Sequence, residues 1–253
     1  MQSKFFKRLA KEIKYITTIR WTFLDVGRHW DETTDYDDIN ERTYTYFRRF
    51  VDAYKLFDLP PKKYTLDICS RTGNGSLYFW KKGKISKVIC ADVTKKMQEI
   101  CKINLTKHNI NFETKYFASY PLPFKDNEFE TILSFETLEH LPKASLFIQE
   151  LARILKTDGY LVLTTPNVLW EPIHWLAAIA KTHHSEGPHR FIRHGKIKKW
   201  LKQGGFRIIK QKTFILIPGG PKFLKKIGEW LEKTMPNFII TFFGLRRVYI
   251  CQK

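Results

Sequence analysis

"YTLDICSRTGNGSLYFW", residues 64–80, changes character in its middle. Tyr64–Ser70 is a short β-rich run, the segment toward Trp80 is helical in pattern, and Gly73 and Gly75 lie in the turn between them. Strand–turn–helix junctions are where nucleotide cofactors bind, because helix amide groups and a tight turn meet there. The turn "CSRTGNG" is not GxGxxG, whose third glycine permits close helix packing, so a dinucleotide is disfavoured. Gly75 is followed by Ser76 and Leu77, not the Lys-Ser/Thr of a phosphate loop, so ATP is disfavoured too. An acid-bearing, lysine-poor turn suits a cofactor with a ribose and no phosphates.

Outward from that junction, β-rich runs alternate with helical patterns, the mark of a parallel α/β sheet. The expected strands are "YTLDICS", "KVICADV", "FETKYFA", "ETILSFE" and "YLVLTT", followed by "FRIIKQKTFILI" and "LRRVYICQK". Helices are expected over Lys95–His108 and Lys143–Lys156, with Gly159 as a stop after the latter. Further helices are expected in "GKIKKWLKQGG" and "PKFLKKIGEWLEK", the second opened by Pro221 where a missing N–H costs little. Lys4–Leu24 and Asn40–Phe57 also read as helices, joined by the acidic "HWDETTDYDD", and "VLWEPIHWLAAIAKTHH" reads as an aromatic insert. The organisation expected is an N-terminal helical cap over 1–62 and an α/β domain over 63–253 with an insert at about 168–192.

Composition narrows the class. The 253 residues are 43% hydrophobic, enough for one ordinary domain with a real core. Cys69, Cys90, Cys101 and Cys251 form no CxxC pair, which argues against a zinc cluster or disulfide framework and fits a reducing cytoplasm. No apolar run approaches the roughly 18 residues a spanning helix needs, and the basic N-terminus lacks the apolar core of a signal peptide. The net charge of +19 sits at the two ends: six Lys/Arg against one Glu in 1–20, and sixteen against two in 190–253. An anionic surface touched by both ends is one reading, and a solvated, solubilising face is the other.

Ligands of open parallel sheets bind beyond the carboxyl ends of the strands. Asp67 lies near the end of the first strand, where it either fixes the turn or reaches a cofactor amine. Asp92 ends the second, where a carboxylate accepts hydrogen bonds from both hydroxyls of a ribose; its other reading is a cap for the helix from Lys95. The fourth strand runs out into "SFETLEHLP".

Five segments in this order resemble the class I S-adenosylmethionine-dependent methyltransferases of the small-molecule and quinone type. They are "LDICSRTGNGS", "ADVTKKM", "YPLPFKDNEFETILSFETLEHL", "ELARILKTDGYLVLTTPN" and "HRFIRHGKIKKWLKQGGF". The resemblance implies a Rossmann-like, mostly parallel seven-stranded sheet with an antiparallel last strand, and S-adenosyl-L-methionine as cofactor. It assigns Asp67, Cys69, Ser70 and Gly73 to the turn around the cofactor's methionine part. Asp92 would hold the ribose, Val93 and Phe117 would lie beside the adenine, and Phe135 and Glu136 under the cofactor. Two departures stand out: Cys69 and Arg71 occupy positions where the family carries glycine, and "YFASY" lacks the common adenine-contacting Asp.

For chemistry, His140 and His189 are the candidate catalytic residues, His140 as general base. Glu136, Glu139 and His140 also match the ExxEH spacing of methyltransferases that bind a divalent metal. Those add a later histidine, for which His189 or His184 would serve; the metal-free base is preferred. The expected acceptor is a hydrophobic or lipid-like small molecule at a membrane surface. Two helical patterns support it: Phe5, Phe6, Leu9, Ile13 and Ile16 face away from Lys4, Lys7, Lys11 and Lys14, and Phe223, Leu224, Ile227, Trp230 and Leu231 oppose Lys225 and Lys226. The alternative for each stripe is packing on the protein's own core. Two other functions remain open: RNA as methyl acceptor, through basic ends and stacking aromatics, and a cofactor-free binding protein on the same fold.

Overall fold

The computed structural model describes residues 2–32, 43–180 and 185–253. Its centre is a seven-stranded sheet made of β1 (Lys62–Ile68), β2 (Ile85–Asp92), β3 (Asn111–Tyr116), β4 (Phe129–Phe135), β5 (Leu155–Pro166), β6 (Arg207–Phe214) and β7 (Arg246–Gln252). The order is β3-β2-β1-β4-β5-β7-β6. β1 to β5 are parallel, and β7 runs antiparallel to both of its neighbours, as expected for this fold class. The strand order reverses between β1 and β4, so a cleft opens beyond their carboxyl ends. Leu66, Ile68, Val88, Ile132, Leu133, Leu161 and Val162 fill the sheet's core with essentially no exposure, the near-continuous apolar pattern of strands covered on both faces.

Ten helices surround the sheet among the described residues. They are α1 (Gln2–Thr17), α2 (Phe23–Glu32), α3 (Tyr44–Leu56), α4 (Asn74–Lys81), α5 (Lys95–Thr106), α6 (Ala144–Ile154), α7 (Glu171–Ile179), α8 (His194–Gln203), α9 (Lys222–Thr234) and α10 (Asn237–Phe243). A single 3₁₀ turn, Val168–Trp170, leads into α7, so the aromatic insert is present as helix.

Several expectations need correction. The helix expected over Lys4–Leu24 is two helices. Ile16, Thr17, Thr18 and Ile19 are four consecutive β-branched residues, and the Thr17 hydroxyl donates back to the Ile13 carbonyl at 2.8 Å, which together end α1. Thr22 then starts α2: its amide donates to Asp25 Oδ2 at 2.8 Å while its hydroxyl accepts from the Asp25 amide at 3.2 Å. Gly159 does not stop a helix. α6 ends at Ile154, β5 begins at the next residue, and a Cβ at Gly159 would stand 2.8 Å from Leu155 side-chain atoms and the Lys156 carbonyl. α10 was not anticipated; it occupies the apolar run "NFIITFFGL". The acidic connection after Glu32 lies outside the described residues. No described helix is long and apolar enough to cross a membrane.

Candidate active site

The turn after β1 is built from residues in a conformation their side chains disfavour. Cys69 and Arg71 have φ of 54° and 50°, and Gly73 has 76°. For non-glycine residues the left-handed region costs on the order of 1 kcal/mol or more each. The turn is held by a ladder of its own: the Ser70 amide donates to the Ala91 carbonyl at 3.1 Å, the Gly73 amide to the Ser70 carbonyl at 2.8 Å, and the Arg71 amide to Asp92 Oδ2 at 2.9 Å.

Asp92 is therefore a linchpin between β1 and β2. It is buried, and its second oxygen accepts the Thr94 amide at 3.1 Å. Burial raises its pKa to about 6 against the pull of those backbone donors. It does not cap α5; the Thr94 hydroxyl does, accepting from the Met97 amide at 3.0 Å. Asp67 is directed into the turn's support rather than the cleft. Its Oδ2 accepts the Ser76 hydroxyl at 2.6 Å and amide at 3.1 Å, and burial pushes its pKa up to about 7.

Of the residues expected to hold a cofactor, Cys69, Asp92, Val93 and Glu136 line one small cavity together with Arg71 and His140. The others stand back from it. A Cβ on Gly73 would meet Cys101 Sγ at 2.8 Å, so this glycine is required by α5 and by its φ. Ser70 Oγ is buried with no partner. The Phe117 ring packs edge-on against Phe23, 5.8 Å between centroids, and Phe135 is a core ring between Phe50 and Phe79.

The remaining wall comes from α2, which sequence reasoning had left out of the site. Val26 and Trp30 line the cavity, and the Arg71 guanidinium lies 4.2 Å from the Trp30 ring centroid. Gly27 allows this approach, since its Cβ position is 3.1 Å from the Val93 carbonyl. The donor set suits a nucleoside: a buried carboxylate at the end of β2 and a second acid, Glu136, across the cleft. The space left is about 20 Å³, against the roughly 300 Å³ or more of small-molecule sites. As it stands the cavity is too small for a nucleoside, and Val26 and Trp30 of α2 form the wall that would have to give.

A second cavity, about 500 Å³, adjoins the first and shares Glu136 and His140 with it. Trp170, Ile173 and Ala177 from the insert form one wall, and Tyr44 and Lys225 another. Glu136, whose φ is 50°, is clamped by Arg49 at 3.1 Å and Arg246 at 2.5 Å. Burial alone would raise its pKa; the two guanidinium groups, Arg246 foremost, overcome that and hold it at about 2. Nothing local in the sequence marks these arginines, which come from α3 and β7. Glu139 has no such partner. Burial, then the Glu136 charge, raises its pKa to about 8, and it accepts the Thr165 hydroxyl at 3.2 Å.

His140 is 5% exposed, with Nε2 at 3.5 Å from Glu186 and Nδ1 buried without a partner. Burial lowers its pKa to about 3. A carboxylate facing Nε2 favours the tautomer protonated there, leaving the Nδ1 lone pair free. His189 lies behind it, ring centroids 5.8 Å apart, with Nδ1 2.9 Å from the Gly187 carbonyl. Among the described residues no three His, Cys, Asp or Glu side chains are grouped to hold a metal ion; His184 lies outside them.

A sheet of this order and these strand directions, with an acid ending β2 and a turn ending β1, has the class I S-adenosylmethionine-dependent methyltransferase fold. Residues 66–163 match the methyltransferase domain family, and the chain carries a domain of that class. It is 28% identical over 130 residues to the ubiquinone biosynthesis O-methyltransferase of Bartonella bacilliformis, a match covering 48% of this chain and 52% of that protein. It is 32% identical over 98 residues to the demethylmenaquinone methyltransferase of Staphylococcus saprophyticus, covering 38% and 42%. The chain thus matches about half the length of the curated relatives. Among solved structures, the cyclase SpnF superimposes with a TM-score of 0.68 at 13% identity, covering 93% of this chain and 97% of that one. A Haemonchus contortus N-methyltransferase in complex with phosphomonomethylethanolamine and S-adenosylhomocysteine does so at 0.62 and 14%, covering 91% and 59%. Likeness at that identity concerns the fold, which hosts more than one chemistry.

Proposed function

We propose that the protein transfers a methyl group from S-adenosylmethionine to a hydrophobic, lipid-like small molecule at a membrane surface. The observation that carries this reading is the meeting of the two cavities at Glu136 and His140. The cofactor, bound in the smaller one, supplies an electrophilic methyl group. Asp92 would accept hydrogen bonds from its ribose hydroxyls, and the turn from Cys69 to Gly73, with Glu136, would face its methionine part. Val93 and Phe117 belong to the adenine side, Phe117 and Phe135 as support rather than contact. The acceptor would occupy the 500 Å³ cavity, held there against His140.

His140 Nδ1 would take the acceptor's proton. Burial keeps the ring neutral across the physiological range, so the lone pair is available, and the Glu186 carboxylate offsets part of the burial cost of the imidazolium. His189, against the His140 ring, would position it rather than react. Glu136 is not assigned as the base, since both of its oxygens are held by the guanidinium groups of Arg49 and Arg246.

The membrane part of the proposal rests on two helices whose apolar sides face outward. α9 turns Glu232 inward onto Arg48, 2.7 Å away, and leaves Phe223 and Trp230 62% and 61% exposed. α1 buries Glu12 while Phe6 stands 61% exposed. Leu176 of α7 and Phe238 and Phe242 of α10 are exposed as well. Such apolar patches, mixed with lysines and adjoining a cavity mouth that includes Lys225, suit the interface of an anionic bilayer. The names of the relatives, quinone-pathway and fatty-acid methyltransferases, support acceptors of that kind. In this reading 1–62 form a cap over the cofactor, 63–253 the catalytic domain, and 168–192 an insert walling the acceptor cavity.

The test is direct. Native protein incubated with methyl-labelled S-adenosylmethionine and a cell extract is fractionated into lipid, RNA and protein. Label in lipid, lost in His140→Gln, supports the proposal. Label in RNA would replace the acceptor, and none in any fraction, with no cofactor binding by calorimetry, would leave a binding protein on this fold.

A further inference from the structure

A cavity of about 840 Å³ shares Glu139 and Phe191 with the acceptor cavity as common wall. We propose that it is a separate binding site for a phosphate-bearing anion. Its walls carry Arg20, Lys143, Arg193 and Lys196, and none of these four makes an ion pair among the described residues. All four are exposed, whereas the more buried Arg48, Arg49, Arg153 and Arg246 each meet a carboxylate. Four cations gathered on one concave wall without a counter-charge repel one another, and an anion seated among them removes that cost.

The backbone adds to the same field. Lys143 and Arg193 are the N-cap residues of α6 and α8, neither helix has an acid in its first turn, and neither has a side-chain cap. A hydroxyl or carboxylate ordinarily fills that place, because helix N-termini present free amides and a positive dipole end. Here both starts open beside the cavity with a cation instead, an arrangement that suits an external anion.

The one acid in the wall, Glu139, does not neutralise the cluster. It is buried, accepts the Thr165 hydroxyl and pairs with none of the four cations, and burial pushes its pKa up to about 8. Trp21 and Trp200 supply the apolar part of the wall, Trp21 fixed by its indole N–H on the His140 carbonyl at 2.6 Å and Trp200 with Lys196 5.4 Å from its ring centroid. Several charge-assisted bonds around one small group match a phosphate dianion better than a carboxylate, and the tryptophans suit the organic body attached to it. The site does not depend on methyl transfer.

Calorimetry on the full chain with glycerol 3-phosphate, and co-sedimentation with phosphatidylcholine vesicles with and without phosphatidic acid, test it. Saturable binding of glycerol 3-phosphate, weakened at least tenfold in Lys143→Ser/Arg193→Ser but not in Lys107→Ser/Lys115→Ser, supports a soluble phosphate ligand. Binding only to phosphatidic acid vesicles, with the same variant pattern, supports a lipid headgroup. Should the double variant not fold, protection of Lys143 and Lys196 from acetylation by either probe, with Lys107 unprotected, gives the same support. Binding of neither probe, or equal losses in the two double variants, overturns the proposal.

Discussion

Replacing Arg246 by Met should destabilise the protein by about 3 kcal/mol and remove an acid-sensitive part of its stability. Glu136 is the only carboxylate Arg246 meets among the described ion pairs, and the Arg246 side chain is 3% exposed. Glu136 falls from an ordinary 4.5 to about 2, a difference worth roughly 3 kcal/mol at about 1.4 kcal/mol per unit. Arg246 provides the larger share of that lowering and Arg49 the rest, and breaking one partner of a buried pair typically costs about 3–5 kcal/mol. Because the folded pKa lies below the unfolded one, this stability is fully present above about pH 4.5 and is lost as pH falls toward 2. Urea unfolding of native and variant protein at pH 7 and pH 3 measures it: the gap should be largest at pH 7 and narrow by about 2 kcal/mol at pH 3. Glu136→Gln/Arg246→Met should recover part of the loss, since no uncompensated carboxylate remains. Equal midpoints for native and Arg246→Met, or a gap independent of pH, would refute the clamp. The consequence reaches function, because the clamp ties α3, β4 and β7 together at the seam between the cavities.

Glu139→Gln should stabilise the protein at pH 8 and change little at pH 4.5, because a folded pKa raised to about 8 drains stability as pH rises from 4.5 to 8; a parallel pH dependence in urea melts of both forms would contradict it. Asp92→Asn should weaken S-adenosylhomocysteine binding by roughly 1–3 kcal/mol in calorimetry, because the charge-assisted bonds to the ribose are lost, and unchanged affinity would remove Asp92 from the site. Trp30→Ala should speed association of S-adenosylhomocysteine in stopped-flow fluorescence at a cost of about 3–5 kcal/mol in stability; an unchanged association rate would show that α2 does not obstruct entry. Once an acceptor is known, the rate profile of the native enzyme should show no His140 titration between pH 6 and 7, since that ring stays neutral there. A chelator that abolishes turnover would instead put a metal where the base is proposed.

The seven strands, their alternation with helices and the turn after β1 were legible in the sequence because strand and helix periods and turn residues are local properties. The acid ending β2 was legible for the same reason: a β-rich run ending in Asp92 puts a carboxylate at the strand's carboxyl end whatever surrounds it. The roles of Cys69 and Arg71 were half legible. Their side chains replace family glycines, but only the fold reveals that both residues keep the left-handed conformation and that Arg71 is directed onto Trp30. Trp30 itself could not be found, since its place in the wall of the small cavity depends on how α2 packs and on the small Gly27 beside Val93. The burial of Glu139 beside the clamped Glu136 is likewise tertiary. Both follow strand four with the same spacing from one another in any conformation, yet Arg49 and Arg246 reach only the first. One carboxylate is therefore pulled far below its ordinary pKa and the other pushed well above it. Amphipathic stripes in α1 and α9 were plain in the sequence, but which face would be buried was not. A stripe records that two faces differ; the inward turn of Glu12 and of Glu232, the latter onto Arg48, decided that the apolar faces look outward.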